Sequence, residues 1–310
     1  RLVDSVRGST KYLMSHNNSA EATDLNGVTS FNSSGFTVGS SNDYNVSGNN
    51  NDFIAWAWKA GGAAVSKNSG SIPATVSAND TYGFSIIKYE GTGANGTVEH
   101  GLSTAPKFFF GRNLDDTSSS RDWIVYHEAL GNTTRLKFTS GNKSSSSTFF
   151  QNTSPSNSVI TIGTSHDINK DNDDYILYCW SEVSGFSKFG SYTGSSNAQT
   201  ITTGFKPAFV ILRDTTQAAN WVLLDSKRGS SWLEADGAAA DNSNNSHQIT
   251  YNNDGFTVSG DKFNVDGKLM IYAAFADTPD TSNVDSLIDT PTNADADSGN
   301  NIGNYCTLNP

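Results

Sequence analysis

The stretch LVDSVRGS at residues 2–9 returns deep in the chain as LLDSKRGS at residues 223–230. A recurring phrase restricts the chain to folds made by repetition, because each copy must build the same local contacts and bury the same face. Extended forward, the match runs through SSGFTVGSSNDYNVSGNNNDFIAWAWKA (33–60) and NDGFTVSGDKFNVDGKLMIYAAFA (253–276). Both hold Gly-Phe-Thr-Val, then an asparagine (Asn45, Asn264), then an apolar run closing on an aromatic (Trp58, Phe275). A more divergent copy lies between them, where SVITIG precedes Asn169 and DYILYCWS carries Trp180. Ile160 there takes the place of Phe36 and Phe256. Extended backward, only residues 84–112 and 186–213 match, each followed by an aspartate-bearing loop and a tryptophan strand (Trp123, Trp221).

The complete unit is therefore about 95–100 residues long. Residues 1–64 read as the C-terminal half of a first unit, 65–83 as a connection, 84–182 as the second unit and 183–276 as the third. Residues 277–310 are acidic, carry Pro279, Pro291 and Pro310, and lack alternation; they read as a linker to a further region. A half unit would leave apolar sheet edges open. The expectation is that preceding chain or a neighbouring subunit completes it. The two complete units should superpose strand for strand, with Trp123 on Trp221 and Trp180 on Phe275, all buried.

Within a unit the fold class follows from pattern. Short runs of β-branched and aromatic residues alternate with Asn/Gly/Ser clusters, and no long stripe of 3.6-residue period appears, which predicts all-β structure. EGTGANGT supplies Gly and Asn for a hairpin, and Pro106 and Pro207 sit at strand entrances, where a missing N–H does least harm. In the run 53–58, Ile54, Trp56 and Trp58 share one face and Phe53, Ala55 and Ala57 the other. Apolar residues on both faces predict a central strand covered on both sides. Seven to nine such runs per unit suit tandem β-sandwiches of jelly-roll type, the first incomplete.

The net charge of -11 and the pI near 4.7 leave no basic footprint for nucleic acid, and no apolar run is long enough to insert in a membrane. Two cysteines cannot staple a scaffold; Cys179 lies in an apolar run and Cys306 in the polar tail, positions poorly placed for a bridge. The histidines at 16, 100, 127, 166 and 247 show no metal-ligand spacing. His127 adjoins Glu128, but neighbours on a strand face opposite ways, and the matching positions are Asp4 and Asp225.

The Asp-Ser-x-Arg-Gly phrase places Asp4 with Arg7 and Asp225 with Arg228 in a turn. No nucleophile elbow or partner histidine accompanies it, so an internal ion pair is the expectation rather than catalysis. Asn45, Asn169 and Asn264, with Asp43, Asp171 and Asp266 nearby, could ligate a hard cation, Asn264 and Asp266 being the weak candidates. An Asx-turn launching the strand explains the same recurrence and is preferred. Trp58, Trp123, Trp180, Trp221 and Phe275 occupy shared positions and are expected in the core. Trp56 and Trp232 are unshared aromatics, hence weak candidates for stacking on a sugar. No cofactor is expected.

Longer phrases carry a resemblance. GSTKYLMSHNNSAEATDLNGVTSFNSSGFTVGSSN, FIAWAWKAGG, GFSIIKYEGTGANGTVEHGLSTAPK and EVSGFSKFGSYTGSS closely resemble a repeat family encoded by marine tailed phages, over residues 1–276. The tail resembles segments that join such repeats to lectin-like domains. FFFGRN departs from the more basic strand end usual in that family. Family members are described as tail, tail-fibre or virion structural proteins. The resemblance therefore implies a virion-surface, extracellular part and supplies no catalytic residues. The function expected is a non-catalytic spacer or adhesin for host-surface glycan, homo-oligomeric and partnered with other virion proteins. A polysaccharide depolymerase, a capsid decoration protein and a cellular adhesin are the alternatives.

Overall fold

The computed structural model describes residues 1–46, 52–115, 122–138, 141–237 and 241–277. Strands form where the alternation is strongest. The first unit holds β1 (Leu2–Asp4), β2 (Gly8–Leu13), β3 (Ala22–Thr23), β4 (Val28–Asn32) and β5 (Gly35–Val38). Two further strands follow, β6 (Val65–Lys67) and β7 (Ala74–Asn79). The second unit holds β8 (Phe84–Glu90), β9 (Gly96–Glu99), β10 (Phe108–Asn113), β11 (Ile124–His127), β12 (Thr134–Arg135), β13 (Ser144–Ser145), β14 (Val159–Ile162) and β15 (Asp174–Trp180). One-turn helices α1 (Ser147–Phe150) and α2 (His166–Asn169) flank β14. The third unit holds β16 (Ser187–Thr193), β17 (Gln199–Thr202), β18 (Phe209–Asp214), β19 (Val222–Asp225), β20 (Trp232–Glu234), β21 (Gln248–Asn252), β22 (Gly255–Ser259) and β23 (Leu269–Phe275). The chain is all-β, its sheets antiparallel.

The two complete units share their main sheet. Strand order is β11-β10-β15-β8 in one and β19-β18-β23-β16 in the other. Register agrees as well: Phe108 pairs with His127 and Trp180, and Phe209 pairs with Asp225 and Phe275. A smaller second sheet, β14-β9 or β17-β22-β21, covers one face. In the second unit Phe109, Tyr126, Tyr175, Leu177 and Cys179 fill that sandwich against Ile160, Ile162 and Phe150. Trp123, Trp221, Trp180 and Phe275 are at most 3% exposed, as the repeat register expects.

The opposite face of each main sheet is equally apolar, because strands buried on both sides do not alternate in polarity. Phe108, Phe110, Tyr178 and Trp180 of the second unit lie in one continuous core with Phe189, Phe209, Ile211 and Phe275 of the third. The half unit joins the same core through Leu13, Trp56 and Trp58. Three equivalent residues meet at its centre. Trp58, Trp180 and Phe275 have ring centroids 5.7 (Trp58–Trp180), 5.6 (Trp58–Phe275) and 6.3 Å (Trp180–Phe275) apart, all three contacts edge-on. The units thus stand around an approximate three-fold axis rather than as beads with separate cores.

Two expectations change, and a third lies almost wholly outside the described residues. Residues 65–83 contain β6 and β7, which extend the second unit's sheet past β8; Val76 and Ala74 pay into its core, so this segment belongs to the fold. The run 53–58 forms no strand, and its residues are half-buried; among the described residues neither neighbouring strand of the kind that flanks β15 or β23 lies beside it. The acidic segment read as a linker falls, from residue 278 onward, outside the described residues, with Cys306 in it.

Candidate functional site

The Asp-x-x-Arg turn is built the same way twice. Asp4 Oδ1 accepts from the Val6 and Arg7 amides, both at 2.9 Å, and Arg7 Nε donates to Asp4 Oδ2. Asp225 Oδ1 accepts from the Lys227 and Arg228 amides at 3.1 and 3.0 Å, and Arg228 Nε donates to Asp225 Oδ2 at 2.6 Å. The glycine after each arginine has positive φ, +104° at Gly8 and +69° at Gly229, with +74° at the matching Gly131. A backbone that side chains avoid explains why the middle copy keeps the glycine alone. There His127 does the carboxylate's work: Nδ1 accepts from the Ala129 amide at 3.2 Å. Nε2 must then carry the proton, and it donates to the Tyr272 carbonyl at 3.0 Å. Burial holds this imidazole down to about 4, the Tyr272 carbonyl opposing, so it is neutral at pH 7.

These turns face the next unit around the axis. Tyr178 donates its hydroxyl to Asp4 Oδ2 at 2.7 Å and accepts from Arg7 at 3.0 Å. His127 reaches the third unit, and the Arg228 guanidinium lies 5.6 Å over the Trp56 ring of the first. The first unit thus contacts the second, the second the third, and the third the first.

An arginine–tryptophan pair fastens the same interfaces from the other side. Trp123 Nε1 donates to the Met14 carbonyl at 3.0 Å, and Arg112 to the Asn17 carbonyl at 2.9 Å. Trp221 Nε1 donates to the Lys137 carbonyl at 2.7 Å, and Arg213 to the carbonyls of Lys137 (3.1 Å) and Gly141. Met14 and Lys137 occupy the same place after the turn glycine. Each guanidinium also lies over its own tryptophan, at 5.3 and 5.0 Å. Burial brings both arginines down to about 10, so they remain charged. The sequence reading missed Arg112 and Arg213. The signal was present, since both matched stretches end on arginine, but a strand-end arginine reads as solvated until its partners are known.

The recurring asparagine is a loop clamp. Asn169 Oδ1 accepts from Thr92 N at 2.7 Å while Nδ2 donates to Ala94 O at 2.6 Å. Asn264 Oδ1 accepts from Ser195 N at 3.0 Å while Nδ2 donates to Asn197 O at 2.7 Å. Each holds the loop that carries the chain from the main sheet to the second sheet, β8 to β9 or β16 to β17; these strands do not pair with each other, so the hairpin expected from EGTGANGT is a sheet-to-sheet crossing instead. Asn45 donates to Gly39 O at 3.0 Å, as Asn169 does to Gly163 O at 2.9 Å. Asn264 and Asp266, the candidate cation ligands, both spend an oxygen on the 195–196 amides. Among the described residues no group of three or more His, Cys, Asp or Glu is placed to hold a metal.

The two candidate sugar-stacking tryptophans are placed inward. Trp232 is 7% exposed, edge-on to Phe263 at 5.4 Å and to His247 at 5.7 Å. Trp56 is half-buried against Phe209 at 5.1 Å. Packing on the third unit covers Trp56, and packing within the third unit covers Trp232, neither of which a repeat alignment shows. A polar cleft of about 280 Å³ lies nearby, lined by Asp214, Gln217, Asn220, Asp261 and Lys262 among others. Behind it, burial pushes the Asp236 carboxyl up to about 6, against the pull of the Trp221 amide. Glu234 instead is held below the usual range; burial opposes this, and Lys262 and Asn220 outweigh it. Neither carboxyl is among the residues lining the cleft.

A domain family of unknown function, DUF7483, matches residues 1–279, so the chain belongs to that family. No curated protein and no solved structure matches the chain.

Proposed function

We propose that the chain is a non-catalytic structural module of a virion surface protein of tail-fibre type, spacing and presenting neighbouring parts. One observation carries this reading. The polar residues that recur from unit to unit, where an active site would have left its mark, spend their hydrogen bonds on the chain itself. Asp4 and Asp225 hold turns, Asn169 and Asn264 hold the loops between the sheets, and Arg112, Arg213, Trp123 and Trp221 tie unit to unit. The virion assignment rests on the long phrases shared with the marine tailed-phage family. Adhesion to host glycan is the second role, favoured by the Asn/Ser/Thr loops and the polar cleft; weak contacts of this kind gain strength from multiple presentation. The test incubates the purified chain, as monomer and as oligomer, with host envelope polysaccharide and measures retention and reducing-end release. Retention by the oligomer without release is the expected outcome. Release that is abolished by Asp236→Asn would replace this reading with a depolymerase. Virions that assemble and adsorb normally after deletion of the chain would remove the structural and adhesive roles together.

A further inference from the structure

Four linked differences set the second unit apart from the third. Lys170 follows the recurring Asn169, where Val46 and Val265 follow Asn45 and Asn264. Asn113 ends β10, where Asp214 ends β18. Asp173 and Tyr175 stand where the third unit has Lys268 and Met270. In the fold these four residues meet, because Asn113 pairs with Tyr175 across β10 and β15, and residues 169–173 lead into β15.

One carboxylate there bridges an amine and an amide. Lys170 Nζ donates to Asp173 Oδ2 at 2.8 Å and to Oδ1 at 3.1 Å. Asn113 Nδ2 donates to the same Oδ2 at 2.7 Å and to the Tyr175 hydroxyl at 3.0 Å. At the other end of the amide, Asn113 Oδ1 accepts from the Asp115 N–H at 2.8 Å. An acceptor at one end and a donor at the other allow the amide only one orientation, with its nitrogen on the carboxylate. Tyr175 fixes the loop in turn: its hydroxyl accepts from the Lys170 amide at 2.7 Å and donates to the His166 carbonyl at 2.7 Å. Asn113, Asp173 and Tyr175 are buried, and Lys170 is half-buried. A nucleophile and a leaving group on one base, with an N–H on the carbonyl oxygen, is the arrangement that acyl transfer needs.

We propose that the chain joins Lys170 to Asn113 through an intramolecular isopeptide bond, with Asp173 carrying the protons. Asp173 takes a proton from the Lys170 ammonium, and the freed Nζ lone pair adds to Asn113 Cγ, forming the new C–N bond. The negative charge that develops on Oδ1 is met by the Asp115 N–H. Asp173 then hands its proton to Nδ2, and the Cγ–Nδ2 bond breaks with ammonia leaving. The last extra proton on Nζ passes through Asp173 to the ammonia. An ammonium and a carboxamide have become a secondary amide and an ammonium ion, with no oxidant or cofactor. Holding both groups on one carboxylate replaces an encounter in solution, and that is what makes so unreactive a pair combine. The bond ties the end of β10 to the loop that launches β15. It forms once per chain and turns over no substrate, so it is compatible with the structural reading and does not rest on it. The third unit, with Asp214 and Val265 in these places, has neither the amide nor the amine.

The test is the intact mass of the purified full chain, followed by peptide mapping after tryptic digestion. Expected is a chain lighter than its sequence by one ammonia, with Asn113 and Lys170 in one branched peptide and no cleavage after Lys170. Lys170→Arg keeps a cation beside Asp173 but cannot form the amide, so it should fold with the wild-type circular dichroism and show the full mass. Asp173→Asn keeps the shape and removes the base, and it should also show the full mass. A wild-type chain still at the mass of its sequence after prolonged incubation overturns the proposal. A loss of ammonia that persists in Lys170→Arg, or that maps to a single unbranched peptide, overturns it as well, because the product is then a succinimide at an asparagine.

Discussion

At position 127 the repeat exchanges a carboxylate for an imidazole, and the exchange makes stability depend on pH. Asp4 and Asp225 accept two amides each in this turn; His127 accepts one and donates across the unit boundary. Its folded pKa of about 4 lies below the ordinary value of 6.5, because burial disfavours the cation. The unfolded chain therefore binds the extra proton between those two values. The contribution is fully present above pH 6.5 and is lost as pH falls towards 4, a loss on the order of 3 kcal/mol. Asp236 runs the other way, since burial raises it to about 6 and its charged form weakens the fold as pH rises through that value. The two shifts are similar in size and opposite in sign, so they largely offset one another in the wild type, and the difference between proteins is the test: between pH 7 and pH 4 the denaturant midpoint should rise relative to the wild type in His127→Gln, which still has an amide to donate to the Tyr272 carbonyl. An equal profile in His127→Gln would assign the dependence elsewhere.

Among the elements, the loop clamps and the interface tryptophans set what a strand end costs to lose. Asn169 and Asn264 each satisfy one amide and one carbonyl of a tight loop, so Asn169→Ala or Asn264→Ala should destabilise by about 1–3 kcal/mol. Faster hydrogen exchange should appear at 92–94 or 195–197 respectively. Asn45→Ala should cost less, because Asn45 bonds the Gly39 carbonyl of its own segment. Equal costs at all three positions would show that the clamp to the loop between the sheets is not what matters. Trp221→Phe keeps most of the ring and removes the bond to Lys137; about 1–2 kcal/mol is expected, read as a shift of the denaturant midpoint at unchanged slope. The asparagines were legible as recurring residues, but they act as clamps rather than in the expected Asx-turns, since the Oδ1 of Asn169 and of Asn264 accepts from the Thr92 or Ser195 amide. Their partners were not legible, since these lie 67 to 77 residues away in sequence.

For the whole molecule the continuous core predicts cooperativity. The faces that pack the units together hold Phe108, Phe110, Trp180, Phe189, Phe209 and Phe275, residues each unit would expose if it stood alone. Calorimetry should therefore show one transition for residues 1–277, with calorimetric and van't Hoff enthalpies equal. Two resolved transitions would mean the units fold independently. Trp58→Ala tests the same point at the axis. The residue is only half-buried, yet it touches an aromatic ring in each of the other units, and its loss should cost about 2–4 kcal/mol. A cost below about 1 kcal/mol would show that the half unit is merely leaning on the other two.

Repetition and strand chemistry, both local in the sequence, determined the all-β class, the spacing of the units, the match of Trp123 to Trp221 and of Trp180 to Phe275, and the ion pairs of the Asp-x-x-Arg turns. Each depends on residues a few positions apart or on comparison of one stretch with another. Only the tertiary structure decided that β6 and β7 extend the second sheet, and that Trp56 and Trp232 turn inward. It alone decided that Arg112 and Arg213 reach into the preceding unit and that three aromatics meet on one axis. The physical reason is that a strand apolar on both faces reports that it will be covered twice, and says nothing about what will cover it.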